Sequence, residues 1–203
     1  MEWLLSVCLG LGLAAACGFR IFVPMLGMSI AAQAGHLDLS PGFEWIDSPA
    51  AIVCFSVATA IEIFAYYIPW VDNALDSVAT PAAVIAGTIL TASVMTEMSP
   101  LMQWSVALIA GGGAAGIVQS GTVLLRGTSS VTTGGSANFM VSTAEWVSAA
   151  GTTLLAILLP VLAALGVIAL VSLILIWLMV RRTPAKCVAD SIVEKPAPKQ
   201  MLL

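Results

Sequence analysis

Residues 111–146, GGGAAGIVQSGTVLLRGTSSVTTGGSANFMVSTAEW, differ in composition from the rest of the chain. This stretch is dense in Gly, Ser and Thr, lies between long apolar runs, and carries Arg126, Asn138 and Glu145. In water such a composition would form a loop. At membrane depth, irregular backbone is tolerated only where protein buries it or where it lines a polar cavity. We therefore take this stretch as the candidate site.

The composition indicates an integral membrane protein. Of the 203 residues, 60% are hydrophobic and 9% are charged, whereas about a quarter are charged in a typical soluble domain. The mean hydropathy is +1.04. The formal net charge is -4, so the chain offers no basic patch for phosphates and we exclude a nucleic-acid partner.

The sequence predicts neither an enzyme nor a cofactor. The single histidine, His36, lies in a polar loop, so neither a haem nor a catalytic dyad would find a membrane-buried imidazole. The four cysteines lie far apart without Cys-x-x-Cys spacing, and they indicate neither a disulfide framework nor a metal site; they are Cys8, Cys17, Cys54 and Cys187.

The apolar runs predict an all-α, polytopic transmembrane bundle of five or six spans of about 20 residues each. The first run, residues 2–35, is too long for one straight span, because such a helix measures about 50 Å against a hydrocarbon core of about 30 Å. The sequence GFRIFVP at residues 18–24 predicts a break, since Gly loosens a helix and Pro removes a backbone donor. Arg20 lies at this break and should face the bundle interior or a watery cavity.

Two further spans are expected at residues 49–68, which include Glu62, and at residues 71–95. We expect Pro69 to end the first of these helices and Asp72 to open the second as its N-cap, because acidic residues favour the positive end of the helix dipole. Asp72 and Asp76 share a helix face, where two like charges repel unless a cation or proton intervenes.

The next span begins at Leu101 and contains Gly112 and Gly116, a G-x-x-x-G pair suited to close helix packing. No helical period is visible at residues 127–143, and we expect a loop or a re-entrant segment there. Residues 145–180 are too long for one ordinary span, with Gly151 and Pro160 as candidate break points. We predict a short leading helix at residues 142–150, followed by a long, tilted last span.

The C-terminal part predicts the orientation of the chain. Arg181, Arg182 and Lys186 follow the last span, and positive residues at this place favour a cytoplasmic C-terminus. The predicted division is a transmembrane domain at residues 1–182 and a disordered cytoplasmic tail at residues 183–203, where prolines stand among charges.

Two similar patterns hint at an internal, inverted repeat. A Gly/Ala-rich helix leads to Arg20 and is followed by Glu44 and Trp45, and a second such helix leads to Arg126 and is followed by Glu145 and Trp146. Inverted repeats are common in transporters and place the substrate at the interface between the repeats.

The chain also resembles a bacterial membrane-protein family known as domain of unknown function 4126. The resemblance rests on six motifs: GFRxFxP at 18–24, PGxEW at 41–45, ExxAxxIPxVDxxxD at 62–76, the glycine run before Arg126, TTGGxxN at 132–138 and SxxE at 142–145. Together they cover about residues 5–180.

The resemblance implies a polytopic fold in the inner membrane. Family members often have an Asp-Lys pair where this chain has Tyr66 and Tyr67, and a His and a Lys near Gln119 and Thr122. These departures argue against a proton relay or an anion clamp that needs those side chains.

The favoured function is a small transporter- or channel-like protein of the bacterial inner membrane for an anionic solute. Arginines near the membrane interior could hold the anion, backbone N–H groups of residues 132–136 could form a nest around it, and carboxylates could carry a coupling proton or cation. The candidate substrate-binding residues are Arg20, Arg126, Thr132, Thr133, Gly134, Gly135, Asn138 and Glu145; the candidate ion-coupling residues are Glu62, Asp72 and Asp76.

Two other readings remain open from the sequence. In the first, Arg20 and Arg126 form structural ion pairs with Glu62 and Glu145 and hold the broken helices together. In the second, the chain is a non-catalytic subunit or a homo-oligomer that packs against membrane proteins through its small-residue faces. In every reading the lipid bilayer surrounds the chain.

Overall fold

The computed structural model describes the backbone of residues 2–134 and 136–193, and it describes their side chains except at 69–70, 72–74, 76, 178 and 180–193. The elements within this part are all helical. They are α1 (Glu2–Phe19), α2 (Phe22–Gln33), a 3₁₀ turn (Glu44–Asp47), α3 (Pro49–Ala65), α4 (Pro69–Ser93), α5 (Pro100–Val106), a π-helical turn (Ala107–Gly112), α6 (Gly113–Thr133), α7 (Asn138–Leu158) and α8 (Pro160–Val193).

Four helices are long and apolar enough to span a membrane: Glu2–Phe19, Pro100–Thr133, Asn138–Leu158 and Pro160–Trp177. Three shorter apolar helices accompany them: Phe22–Gln33, Pro49–Ala65 and Ser77–Ser93. The apolar residues that remain exposed on these helices match a lipid environment. The chain is therefore an all-helical, membrane-embedded protein.

The first helix, α1, forms the axis of the bundle and packs against α4, α6, α7 and α8. Its residues 13–17 are completely buried. The helices approach closely because their contact positions are small: a Cβ on Gly12 would lie 2.6 Å from Ala156, and one on Gly87 would lie 2.6 Å from Ala115. Small residues at helix contacts are the expected device in membranes, where backbone proximity maximises van der Waals packing.

The predicted break at residues 18–24 is present. Helix α1 ends at Phe19, Arg20 and Ile21 are not helical, and α2 begins at Phe22. A helix of 12 residues measures about 18 Å, short of the hydrocarbon core. The break turns a single over-long helix into one membrane-length helix and one short helix.

The loop or re-entrant segment predicted at residues 127–143 is instead mostly helical. Helix α6 continues to Thr133, and α7 begins at Asn138. The helix tolerates this composition because its hydroxyls donate to carbonyls in the preceding turn. The Thr128 hydroxyl donates to the Leu124 carbonyl at 2.8 Å, and the Thr133 hydroxyl donates to the Ser129 carbonyl at 2.7 Å. Gly134 ends α6 in the left-handed conformation, with φ 62°.

The helix boundaries predicted at Pro69, Gly151 and Pro160 differ in outcome. The break at Pro160 is present, since Leu159 is non-helical between α7 and α8. The predictions of a short leading helix at 142–150 and of a break at Gly151 are wrong, because α7 runs through both. Pro69 begins α4 rather than ending α3, because its fixed φ suits the first helical position. Asp72 consequently lies inside α4 and is not its N-cap.

The C-terminal helix α8 continues to Val193, beyond the predicted domain limit at residue 182. Residues 194–203 lie outside the described residues. The disordered tail at residues 183–203 stays a prediction.

Candidate functional site

Two arginines share one carboxylate inside the bundle. Arg20 Nη2 donates to Glu145 Oε2 at 2.9 Å, and Arg126 Nε donates to Glu145 Oε1 at 3.0 Å. Arg126 Nη2 also donates to Glu145 Oε2. Arg20 is 2% exposed, and Arg126 and Glu145 are each 3% exposed. Three of the residues that the sequence singled out thus meet at one place. We call these three residues, together with the Tyr66 ring described below, the charged centre.

The helical hairpin of α6 and α7 explains how Arg126 and Glu145 meet. They lie about two helical turns from the hairpin end, on opposite arms. An antiparallel pair of helices joined by a short turn places such positions at the same height. Arg20 reaches the same height because the break after α1 ends the helix there.

An aromatic ring lies against both guanidinium groups. The Cζ atoms of Arg20 and Arg126 lie 3.7 Å and 4.3 Å from the centroid of the Tyr66 ring. Tyr66 is the C-cap of α3 and is 7% exposed. A buried cation over an aromatic face gains about 2 kcal/mol when desolvated. Sequence reasoning missed Tyr66 as a site residue, although it follows Glu62 by one helical turn and therefore shares its face.

Arg20 and Arg126 both pair with Glu145, one of the two partners in the structural reading. Among the described residues, Glu62 forms no ion pair with an arginine. Its Oε1 accepts from the backbone N–H of Ile21 at 2.9 Å, and its Oε2 accepts from that of Phe22 at 3.0 Å. These N–H groups form the start of α2, where no preceding turn can satisfy them. The carboxylate from α3 therefore caps α2 across the bundle and meets the positive end of its dipole.

The charged centre leaves hydrogen bonds unmade. Arg20 Nη2 also donates to the Ser142 carbonyl at 3.4 Å, but Arg20 Nε and Nη1 are buried and have no hydrogen-bond partner. The hydroxyls of Ser142 and Ser129, one turn from Glu145 and Arg126 respectively, are also buried without a partner. A buried polar group in this state costs about 1–3 kcal/mol, and a charged group costs more.

The other predicted substrate-binding residues lie away from this centre, at the hairpin end. Thr132, Thr133 and Gly134 are exposed, and Asn138 Nδ2 donates to Ser130 Oγ at 3.0 Å. Residues 132 and 133 are helical, so their N–H groups serve the helix and do not form the predicted nest. Gly135 and the side chains of Asp72 and Asp76 lie outside the described residues.

Two further features bear on the site. The described residues contain no group of three His, Cys, Asp or Glu side chains that could hold a metal ion. A groove of about 720 Å³ between α6 and α8 is lined mainly by apolar side chains, among them Leu125, Leu170 and Trp177. Arg20, Arg126 and Glu145 are not among its lining residues, so the groove is separate from the charged centre.

The sequence profile of one protein family matches most of the chain. The sequence profile of the family described as domain of unknown function (DUF4126) matches residues 7–182. The chain belongs to this family. The matched part contains Arg20, Glu62, Tyr66, Arg126 and Glu145. No curated protein and no solved structure shows significant similarity to the chain.

Proposed function

We propose that this DUF4126 protein binds a small anionic solute at the charged centre and carries it across the bacterial inner membrane, with its C-terminus in the cytoplasm. The observation that supports the proposal is the state of Arg20. Its guanidinium is buried, it shares Glu145 with a second arginine, and two of its nitrogens have no hydrogen-bond partner.

The charges of the centre favour an anion. Two guanidinium groups meet one carboxylate, and the charge of Glu62 is engaged with the N–H groups of α2. Fully paired buried charges hold a fold together at little net cost, whereas an incompletely compensated one is expensive. A bound anion would accept from the unpartnered N–H groups of Arg20 and from the Ser142 hydroxyl, and it would balance the excess positive charge.

The broken first helix supports a transport role. In many transporters the substrate binds near the bilayer midplane beside discontinuous helices, whose free termini face the ligand. Here the α1–α2 break lies directly at Arg20. The proposal includes five or six crossings, depending on whether α2 crosses the membrane fully, and it retains the inverted repeat as a hypothesis.

The alternative of a partner-binding subunit has less support at one of its small-residue faces. The G-x-x-x-G pair that would offer a close-packing face is already used within the chain. A Cβ on Gly112 would lie 2.6 Å from Thr88, and one on Gly116 would lie 3.0 Å from Val84, both on α4. Gly112 is therefore buried against α4, whereas Gly116 stays partly exposed and lines a surface groove, so the partner-binding subunit remains the second candidate function.

The test is anion flux into liposomes that contain the purified protein. The probes are formate, acetate, chloride and phosphate, each measured against empty liposomes and against protein with Arg20→Gln. Glu97→Gln, which changes an exposed residue in the turn before α5, is the control for charge changes in general. We expect flux of at least one anion, a loss of roughly tenfold or more with Arg20→Gln, equivalent to about 1.4 kcal/mol, and no loss with Glu97→Gln.

Size-exclusion profiles of the two variants establish that they remain folded. The proposal is overturned if no probe enters faster than into empty liposomes. It is overturned equally if folded Arg20→Gln protein transports as fast as the unaltered protein.

A further inference from the structure

The start of α2 holds a carboxylate in a forked geometry. The two oxygens of Glu62 each accept one N–H, from Ile21 at 2.9 Å and from Phe22 at 3.0 Å. Consecutive N–H groups at the start of a helix form an anion site, because they are unsatisfied by the helix and lie at the positive end of its dipole. The occupant of this site belongs to another helix, α3.

A second observation is a set of unpartnered buried donors on the adjacent residue. Arg20 immediately precedes these two N–H groups in sequence and is 2% exposed, yet its Nε and Nη1 have no hydrogen-bond partner. The described residues contain no ion pair between Arg20 and Glu62, since Arg20 pairs with Glu145 instead. The region thus contains more buried donors than Glu62 occupies.

We propose that the start of α2, together with Arg20, is a binding site for the carboxylate group of a small solute, and that Glu62 is its built-in occupant, which leaves when the solute binds. This inference rests on the proposed function, because it names the class of anion and the residue that controls access. It also names the place at which the anion binds.

The geometry selects a carboxylate over other anions. A planar group with two oxygens reproduces both N–H···O bonds of Glu62, whereas chloride offers a single acceptor atom. A monocarboxylate also replaces one negative charge by one negative charge, so the balance of charge at the N–H groups of α2 is preserved. A divalent phosphate would change that balance by an extra charge.

The packing of α3 against the bundle allows the Glu62 side chain to leave the start of α2. Ala51 is the one buried residue that α3 contributes, and Glu62 itself is partly exposed. Arg20, Arg126 and Glu145, by contrast, are buried, with 2–3% of each residue exposed. Only the Glu62 side chain has to move, because Tyr66, the buried C-cap of α3, packs against both arginines and keeps the end of the helix in place.

The exchange should favour acidic conditions. A proton on Glu62 removes its charge and weakens its hold on the two N–H groups, so the site opens to a solute anion. Among the residues whose side chains are described, the other titratable or charged groups within electrostatic range of Glu62 or Arg20 are Cys17 on α1, Arg126 on α6, Glu145 on α7 and Tyr66 on α3. Glu145 is bound by two guanidinium groups, so it is not the group expected to respond.

The decisive experiment is chemical rescue in detergent. Glu62→Ala removes the resident carboxylate, and the thermal midpoint of unfolding is then measured with sodium formate, acetate or chloride at equal ionic strength. We expect formate and acetate to raise the midpoint by several degrees in a saturable way, because a ligand of the native state stabilises it by mass action. Chloride should raise it much less, and the unaltered protein should respond weakly because its site is filled.

The control variant is Glu44→Ala. Glu44 also accepts a backbone N–H, that of Gly42 at 2.8 Å, but at an exposed loop, so formate should not stabilise this variant beyond the effect of chloride. The double variant Glu62→Ala with Arg20→Gln should lose the formate effect. The inference is overturned if formate stabilises Glu62→Ala no better than chloride does, or no better than it stabilises Glu44→Ala.

Glu62→Gln keeps the inference testable if Glu62→Ala does not fold. A neutral amide should be displaced more readily than a carboxylate, so formate should bind this variant at least tenfold more tightly than the unaltered protein at pH 7.5. Its affinity should also be the same at pH 5.5, while that of the unaltered protein should increase on acidification. Equal affinities of both proteins at both pH values would overturn the inference.

The rescue experiment and the flux experiment separate the two proposals. Flux in the unaltered protein without rescue of Glu62→Ala would leave transport standing and place the solute elsewhere. Rescue without flux would leave the carboxylate site standing and reject transport.

Discussion

Two buried polar clusters in this protein differ in how completely they are bonded. The charged centre contains Arg20, Arg126 and Glu145 around Tyr66. The second, which we call the amide cluster, consists of Ser40, Ser93 and Gln103. In it, Gln103 Nε2 donates to Ser40 Oγ and to the Ala92 carbonyl, both at 2.8 Å. Ser40 Oγ donates in turn to the Met95 carbonyl at 3.3 Å.

The amide cluster has no buried side-chain nitrogen or oxygen without a partner among the described residues, whereas the charged centre has two, Arg20 Nε and Nη1. The amide cluster ties the loop after α2 to the end of α4 and to α5, and its backbone bond from Ser40 to Ser93 is 2.7 Å long. Uncharged groups that satisfy one another are sufficient for that role. The unpartnered donors of the charged centre need an explanation, and the proposed anion site offers one.

The largest effect is expected from Glu145→Ala. This change leaves two guanidinium groups buried without their shared carboxylate, and breaking a buried ion pair in this way costs about 3–5 kcal/mol. The measurement is unfolding of the purified protein in detergent. Adding Arg20→Met and Arg126→Met should recover most of the loss, because an apolar replacement of the whole network removes the uncompensated charges. A loss below about 1 kcal/mol, the usual value of an exposed ion pair, would contradict the burial of this centre.

A smaller loss is expected from Gln103→Leu in the amide cluster. It removes two hydrogen bonds and leaves Ser40 and the Ala92 carbonyl with fewer partners, at a cost of about 1–3 kcal/mol. The affinity for formate, measured in the Glu62→Ala background, should not change. If it falls together with stability, then the two clusters are coupled and the comparison between them fails.

The ring in the charged centre should contribute less. Tyr66→Leu removes the aromatic face from both arginines and should lower stability by about 1–2 kcal/mol, whereas Tyr66→Phe keeps the ring and most of the cation–π attraction. Comparison of the free energies of unfolding of the two variants separates the contribution of the ring from that of the hydroxyl. Equal losses in both variants would assign the effect to the hydroxyl.

The smallest effect is expected at the hairpin end. Thr133→Ala changes an exposed side chain whose hydroxyl donates to the Ser129 carbonyl in its own helix and accepts from the Ala137 N–H at 3.2 Å across the turn, so stability should change by no more than about 1 kcal/mol. Anion flux should equal that of the unaltered protein. A selective loss of flux would restore residues 132–136 as the site that the sequence predicted.

Local features of the sequence were enough for part of the site and of the fold. The apolar runs required membrane-length helices, and Gly18 and Pro24 required a break that places Arg20 at a helix end. Pro160 required the last break because it lacks an amide donor. The burial of Arg20 followed from the cost of placing a guanidinium against lipid.

The tertiary structure alone decided which groups meet. Residues 127–133 could be loop or helix by composition, and the helix forms because serine and threonine hydroxyls can bond within it. Glu62 and Glu145 were equal candidates as partners of the arginines. In the folded bundle both arginines pair with Glu145, and Glu62 accepts hydrogen bonds from the start of α2 instead. Partner choice depends on helix positions across the bundle, which no local pattern of residues encodes.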